Sequence, residues 1–449
     1  MDLLLLVLRR LARSAWRPRK SAAKAVLLCV LGASCRPAGS GTPVPYLTDR
    51  SFRRAEMLAS LVNPDNGYGR QREEHYSTGG AGDWDRLGEW NPPTEPLATS
   101  ELDATSGAST SALSLDARPL DVAAHVSSED DPALVQLGRE AFRRYPVQLA
   151  PYLRVALTSR AAARRYGLWL DDRRGVGGLV RARVADGSGA IALTCSTCHT
   201  SPSGGRLTDG VSNAALDLGS AMLDASRGGM DPSTADAVAA WGPGRVDVSS
   251  HTGKEPARIA DVRPVAWLGY LQQDATVKQN DMTALAVRIE TLITTSQNGA
   301  VRPPRVVALA LAAYVRHMAE ELPEEREAAA RSPAGKAVFE GRCAGCHIPP
   351  ALTGPPVPLD QIGTDPSLGR SRDRGTGAYR VPSLHGVGTR GPLLHDGTVP
   401  SLPAMFDAAR ASSRLPDRLH GSGPVRGHLF GLELDEADRA ALVAYLQTL

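Results

Sequence analysis

Read as a pattern of apolar and polar positions, the chain changes character near residue 119. Residues 36–95 are polar and punctuated by Gly, Pro and Asn, with one helical stretch over Ser51–Leu61 that Asn63-Pro64-Asp65-Asn66-Gly67 stops. Thr99–Ser114 is rich in Ser, Thr and Ala without a period and reads as a linker. Beyond it Leu134, Leu137, Ala141 and Tyr145 recur at helical spacing. The pattern predicts further helices over Tyr152–Tyr166, Thr283–Thr294 and Arg305–Met318, the last preceded by Pro303-Pro304. It predicts a turn over Asp171–Gly178, a strand or extended lead-in over Val184–Leu193, and turns at Ser201–Gly205 and Trp241–Arg245. A final helix starts at the N-cap candidate Asp435 and places Leu442, Leu446 and Leu449 on one face.

An internal repeat is superimposed on this pattern. Ala310-Leu311-Ala312-Ala313-Tyr314-Val315 matches Ala441-Leu442-Val443-Ala444-Tyr445-Leu446, and Gly138-x-x-x-Phe142 matches Gly335-x-x-x-Phe339. Each half therefore carries a Gly-x-x-x-Phe helix and a closing helix with a Tyr. The glycine lets two helices cross closely, and the aromatic pair packs around the crossing. The charged stretch Glu320–Ser332 separates the halves. The expected organisation is a leader over 1–34, an irregular surface arm and linker over 35–118, a first domain over 119–325 and a second over 326–449.

The chemistry sits between the two helices of each half. Cys195-Ser196-Thr197-Cys198-His199 and Cys343-Ala344-Gly345-Cys346-His347 share the Cys-x-x-Cys-His signature of c-type heme attachment. Two thiols form thioethers to one porphyrin edge, and the adjoining His binds iron. A closed zinc site would need four ligands, and one Cys₂His₂ site across both motifs would leave ligands over. A thioredoxin-like dithiol would have no use for a second copy of the adjoining His. Two copies predict two covalently bound hemes, anchored by Cys195, Cys198 and His199 and by Cys343, Cys346 and His347. In the second half Cys343 follows Phe339 by four positions; in the first, Cys195 follows Phe142 by 53, so that half carries an insertion.

Cysteine usage and charge add the compartment. Of six cysteines, four belong to the motifs, and Cys29 and Cys35 lie in or beside the leader. Covalent heme attachment takes place outside the bacterial cytoplasm, and a basic stretch, Arg9–Lys24, precedes a ten-residue apolar run, Ala25–Ser34. That is the length of a signal-peptide core and too short to span a bilayer. Leu31-Gly32-Ala33-Ser34-Cys35 ends like a lipoprotein cleavage site, with Gly32 where Leu is usual, so simple secretion and a lipid anchor at Cys35 both stay open. The expected location is the periplasm or the cell surface, with an outer-membrane lipoprotein as one form. The first 34 residues hold seven Lys or Arg against Asp2, so removing them turns the net charge from +3 to −3. No concentrated basic surface points to nucleic acid. Aromatic residues make up only 5% of the chain, as suits cores filled partly by porphyrin.

Two such modules in tandem resemble the bacterial di-heme cytochrome c peroxidase superfamily, which includes the methylamine-utilisation di-heme enzyme and the rubber oxygenases. The resemblance runs from about residue 130 to the end. Its best carrier is Tyr379-Arg380-Val381-Pro382-Ser383-Leu384-His385-Gly386-Val387 followed by Gly391-Pro392-Leu393-Leu394-His395-Asp396-Gly397, similar to the block that lines the family's second heme pocket. The resemblance implies a mainly α fold of two tandem class-I-like cytochrome c domains preceded by an N-terminal irregular arm. In the peroxidases a Met just before His-Asp-Gly is the sixth ligand; here Leu394 stands there and cannot bind iron. The rubber oxygenases also have Leu, and carry a later segment similar to Gly427-His428-Leu429-Phe430-Gly431. That resemblance makes His428 the preferred sixth ligand, with His395 second and Met405 third. For the first heme Met222, Met230, Met282 and His251 lie between the motifs, none in a ligand pattern, so an open iron is expected there. The Trp-Gly-Pro-Gly turn at Trp241 resembles one in the rubber-oxygenase branch and is expected to shape a pocket wall. Trp267 is read as a packing residue, with an electron relay as the alternative.

These readings predict an exported two-heme cytochrome that takes electrons from a redox partner such as a small cytochrome and reduces peroxide at the first heme. No acid–base group for that reaction is evident in the sequence. An oxygenase using dioxygen and a non-enzymatic electron carrier are the alternatives.

Overall fold

The helix over Pro132–Arg144 shows how this sequence builds its elements. Asp131 caps it, accepting from Ala133 N at 2.9 Å, and Pro132 takes the first position, where no N–H is needed. Arg143 and Arg144 occupy the last turn, where the helix dipole favours cations. Tyr145 turns extended before Pro146 and ends it. Leu134, Leu137, Gly138, Ala141 and Phe142 form its buried face. That face crosses the helix Arg305–His317, whose residues from Val307 to Val315 are all buried. Such a helix is apolar all round because it is enclosed all round; Met282–Ser296 packs on it as well.

The computed structural model describes residues 44–449 apart from 77–82, 103–112, 124–125, 127, 130, 248–254, 280 and 413–423. The leader with Cys29 and Cys35 lies outside the described residues, as do most of the Thr99–Ser114 linker and His251.

The two halves use one crossing twice. A β-carbon on Gly138 would stand 1.9 Å from the Ala310 carbonyl oxygen and 2.7 Å from Tyr314 Cβ; one on Gly335 would stand 2.1 Å from the Ala441 oxygen and 2.6 Å from Tyr445 Cβ. Only glycine permits this approach. Phe142 meets Tyr314 edge-on with centroids 5.6 Å apart, and Phe339 meets Tyr445 at 5.4 Å. Each tyrosine donates to a carboxylate at 2.9 Å, Tyr314 to Asp209 and Tyr445 to Glu325. The Gly335 helix runs Pro333–Arg342, and the Tyr445 helix, Glu436–Thr448, is capped by Asp435 and buries Leu442 and Leu446.

Helices dominate, and the sheets described are small. The largest is antiparallel, in the spatial order Thr94–Pro96, Val180–Arg183, Gly189–Leu193, Gln148–Leu149. The strand Gly189–Leu193 runs directly into the first Cys-x-x-Cys-His motif. The helical stretch expected over Tyr152–Tyr166 is broken: a 3₁₀ helix, Pro151–Leu157, stops and Ser159 caps a new helix, Arg160–Arg165. Ser159 accepts from Ala162 N at 3.0 Å, so the cap outcompetes continuation.

The expected irregular surface arm is corrected by the structure. Helices Arg50–Ser60 and Gly67–His75 are regular, and Tyr46, Met57 and Trp84 are buried in the same core as Leu134 and Phe142. Tyr46 donates to the buried Glu290 at 2.6 Å, and Trp84 Nε1 donates to Thr294 at 3.1 Å. The apolar positions in this segment are too sparse to betray a helical face, yet each fills a gap in a neighbouring element's core. Residues Thr42–Leu449 pack as one unit. Among the described residues no helix is long and apolar enough to cross a membrane.

Candidate heme-binding centres

The first motif is built into a polar frame. Thr194 and Thr197 form a capping box around the short helix Cys195–His199, and both hydroxyls donate to the Gly178 carbonyl, at 2.8 and 3.2 Å. Asn213 donates through its backbone N to Cys198 O at 2.8 Å and through its amide to Thr197 O at 3.3 Å. Asp209 accepts from Thr200 at 2.8 Å and from Tyr314, and pairs with Arg143 and Arg174. His199 Nδ1 lies 2.8 Å from the Ala260 carbonyl oxygen. An N–H donated there leaves Nε2 free for iron, the usual arrangement of a metal-binding histidine.

The second motif hangs from a helix end. Cys343 caps the Gly335 helix, and the motif closes one turn, with His347 N donating to Cys343 O at 2.9 Å. His347 Nδ1 lies 3.2 Å from Leu352 O, so its Nε2 is also free. Cys195, Cys198 and Cys343 are half-buried and Cys346 is exposed, and none of the four is in a disulfide. Burial pushes Cys195 and Cys198 up to about 12 and Cys343 up to about 11. Thiols so protonated lack the lowered pKa of a reactive dithiol. Among the described residues, no three His, Cys, Asp or Glu side chains gather as a metal cluster.

A cavity of about 230 Å³ opens on the second motif, and Cys343, Cys346 and His347 line it together with His428. Phe339, Val381, Leu394, Phe406 and Leu446 supply apolar walls. His428 has φ +43°, a left-handed conformation uncommon outside glycine, between Gly427 at +85° and Gly431 at +84°. A β-carbon at Gly427 would stand 2.3 Å from Thr364 N, so this loop is pressed against Gly363–Thr364. His428 N donates to Ile362 O at 2.7 Å. The wholly buried Arg410 donates to Met405 O (2.8 Å), Val425 O (3.1 Å), Gly427 O (3.0 Å) and His428 O (2.6 Å). The guanidinium clamps the loop through four carbonyls. His428 Nδ1 is buried without a hydrogen-bond partner. Burial, then the nearby His347, lowers His428 to about 4; burial alone is the leading cause that lowers His347 to about 4. Both rings are therefore neutral at pH 7, the form that binds iron.

The other ligand candidates also line this cavity. His395 stacks on Tyr379, with centroids 4.2 Å apart, and burial lowers its pKa against the pull of Asp396, Asp365 and Asp274. Met405 is buried in the helix Leu402–Met405. Leu394, at φ +69°, forms part of the wall. Of the candidates for the first heme, Met282 packs against the large core. Met222 and Met230 are half-buried. Trp241 is buried, and its carbonyl accepts from Arg245 Nε at 2.6 Å. Trp267 stacks on the buried His385 at 4.0 Å, joining the two halves.

Sequence reasoning missed Arg410, and it missed Arg258 and Arg390, which line the cavity beside Arg380. An arginine is usually solvated, so nothing in the pattern marks these as interior.

The second motif lies within residues 332–449, which match the family model "Cytochrome c". This segment is a cytochrome c domain, and its cavity, thiols and free His347 nitrogen fit a covalently bound heme c. No protein among the curated sequences matches the chain. Among solved structures, a MauG-like protein associated with microbial copper homeostasis is similar at 17% identity with a TM-score of 0.32, over 46% of this chain and 77% of that one.

Proposed function

We propose that this chain is an exported c-type cytochrome with two hemes on tandem cytochrome c domains, one closed by two histidines and one open to peroxide. Cys343 and Cys346 would hold the second heme, with His347 and His428 as candidate nitrogen ligands to its iron. Cys195, Cys198 and His199 hold the first. Bound heme supplies one-electron redox chemistry and, where iron keeps a free position, reaction with peroxide. The residues divide the work. Leu352 and Ala260 carbonyls fix the tautomers of His347 and His199 by accepting from Nδ1. Arg410 and Ile362 hold the His428 loop in its left-handed turn. Ile348, next to the second motif in the chain, and Leu429 and Phe430, next to His428, are exposed and offer apolar surface for a small redox partner.

The observation that carries this reading is that His428 and His347 line one cavity, with burial lowering the pKa of both rings and His428 Nδ1 unpartnered. His395 is engaged with Tyr379 and is the weaker candidate.

The test is the EPR and optical spectrum of the purified protein, followed by peroxide turnover with a reduced cytochrome donor. One low-spin and one high-spin iron, with turnover, is the expected result. Two low-spin irons in every redox state leave an electron carrier. A high-spin iron that consumes dioxygen but not peroxide leaves an oxygenase. The signal and lipid anchor are tested by mass spectrometry of the mature N-terminus, expected at or near Cys35.

A further inference from the structure

Three arginines line the second cavity with no ion-pair partner among the described residues. Arg258 comes from the strand Ala257–Arg258 in the first half; Arg380 and Arg390 come from the second. All three line the cavity. Arg258 donates through Nε to Leu394 O at 3.2 Å, Arg390 to Ser383 O, and Arg380 reaches Gln273 Oε1 only at 3.5 Å. Buried nitrogens are left without a partner on each: Arg258 Nη1, Arg380 Nε and Arg390 Nε.

Asp261, Asp274 and Asp396 pull on these arginines through space, but among the described residues none forms an ion pair with them. Asp261 pairs with Arg263 at 2.5 Å, Asp274 faces Arg374 at 3.7 Å, and Asp396 accepts from Thr398 at 2.9 Å. Burial lowers all three arginines, Arg380 to about 9 and Arg390 to about 10, and Arg258 repels both. Unpaired charges of one sign in an apolar wall cost free energy unless a ligand of opposite sign completes them.

We propose that Arg258, Arg380 and Arg390 seat the two carboxylates of the tetrapyrrole carried by Cys343, Cys346 and His347. The inference rests on the heme reading above. A tetrapyrrole is apolar over most of its surface and ends in two carboxylates, which matches a cavity with apolar walls and one cationic wall. Guanidinium forks are suited to carboxylates, and five N–H groups on each leave ample donors. One heme is thus held by both halves. The three charges also favour the reduced iron, because an added electron is stabilised by nearby cations.

The test uses the heme-loaded full chain and Arg258→Gln, Arg380→Gln and Arg380→Lys. Spectroelectrochemical titration of the low-spin couple should shift to lower potential in both Gln variants and return towards the wild-type value in Arg380→Lys. The propionate-bending band in resonance Raman should report strong hydrogen bonding in the wild type and weaken in the Gln variants. Loaded Gln variants with an unchanged potential and band overturn the seat. If the variants fail to load, a wild-type band at the position of unbonded carboxylates overturns it alone. Absence of heme from the Cys343–Cys346 peptide of wild-type protein overturns the heme reading instead.

Discussion

The two Cys-x-x-Cys-His motifs are the same five-residue signature placed in opposite surroundings. The first sits at the end of a strand, with a capping box at its start, and is tied to Gly178, Asn213 and Asp209. The second ends a helix beside an open cavity, with Cys346 exposed and the facing histidine carried on a glycine-flanked loop. Yet both share one helix crossing, down to the carbonyl that each glycine meets. The repeat thus fixes where each motif sits, while the inserted or appended chain decides what stands opposite it. The first half spends its extra length on a sheet and a hydrogen-bonded frame; the second spends a loop on a candidate ligand.

The most damaging way to break the comparison is at the shared crossing. Gly138→Ala and Gly335→Ala each drive a methyl into a backbone carbonyl, and each should cost about 3 kcal/mol or more. Gly138→Ala should cost more, because its contact is closer and the Tyr314 helix is enclosed. Thermal melts of the two variants check this; wild-type melting for either would show that the crossings are not equivalent.

The next effect separates the far sides of the two pockets. His428→Ala should convert the second iron from low to high spin, whereas His395→Ala should leave it low-spin. EPR of both variants reads the outcome, and a low-spin His428→Ala would remove His428 as ligand. Arg410→Gln is expected to act in the same direction but incompletely. It leaves Gly427 and His428 carbonyls short of donors and should cost about 2 kcal/mol. A partial high-spin fraction is expected, with partial recovery in Arg410→Lys. A loss of stability with no spectral change would make Arg410 structural only.

The two Cys-x-x-Cys-His motifs were legible in the sequence as candidate anchors because thioether attachment would need a fixed spacing of fixed residue types. The Gly-x-x-x-Phe and Tyr helices were legible because close crossing demands glycine. Residues 44–102 were misread as a surface arm because their few apolar side chains, Tyr46, Met57 and Trp84, reach a core formed mainly by distant helices. The cavity's arginines were illegible for a related reason. Arg258, Arg390 and Arg410 are interior only because a carbonyl, or in our proposal a cofactor carboxylate, meets them there. Sequence spacing records local geometry and is silent on such long-range pairing.

The smallest expected effect sharpens the difference in framing. Burial pushes the Asp209 carboxyl up, but Arg174, Arg143 and its hydrogen bonds overcome that and hold it below the usual range. The unfolded chain therefore binds this proton at a higher pH than the folded one. Its contribution to stability is complete above the ordinary carboxyl value near 4 and is lost as pH falls through the depressed folded value. The first half should accordingly gain stability as pH rises from the depressed folded value to the ordinary carboxyl range, and Asp209→Asn should flatten that rise. Acid titration of unfolding, followed at the Soret band, should show this flattening in Asp209→Asn. An acid limb unchanged in Asp209→Asn would mean that the arginine pairing at Asp209 does not set the acid limit of the first half.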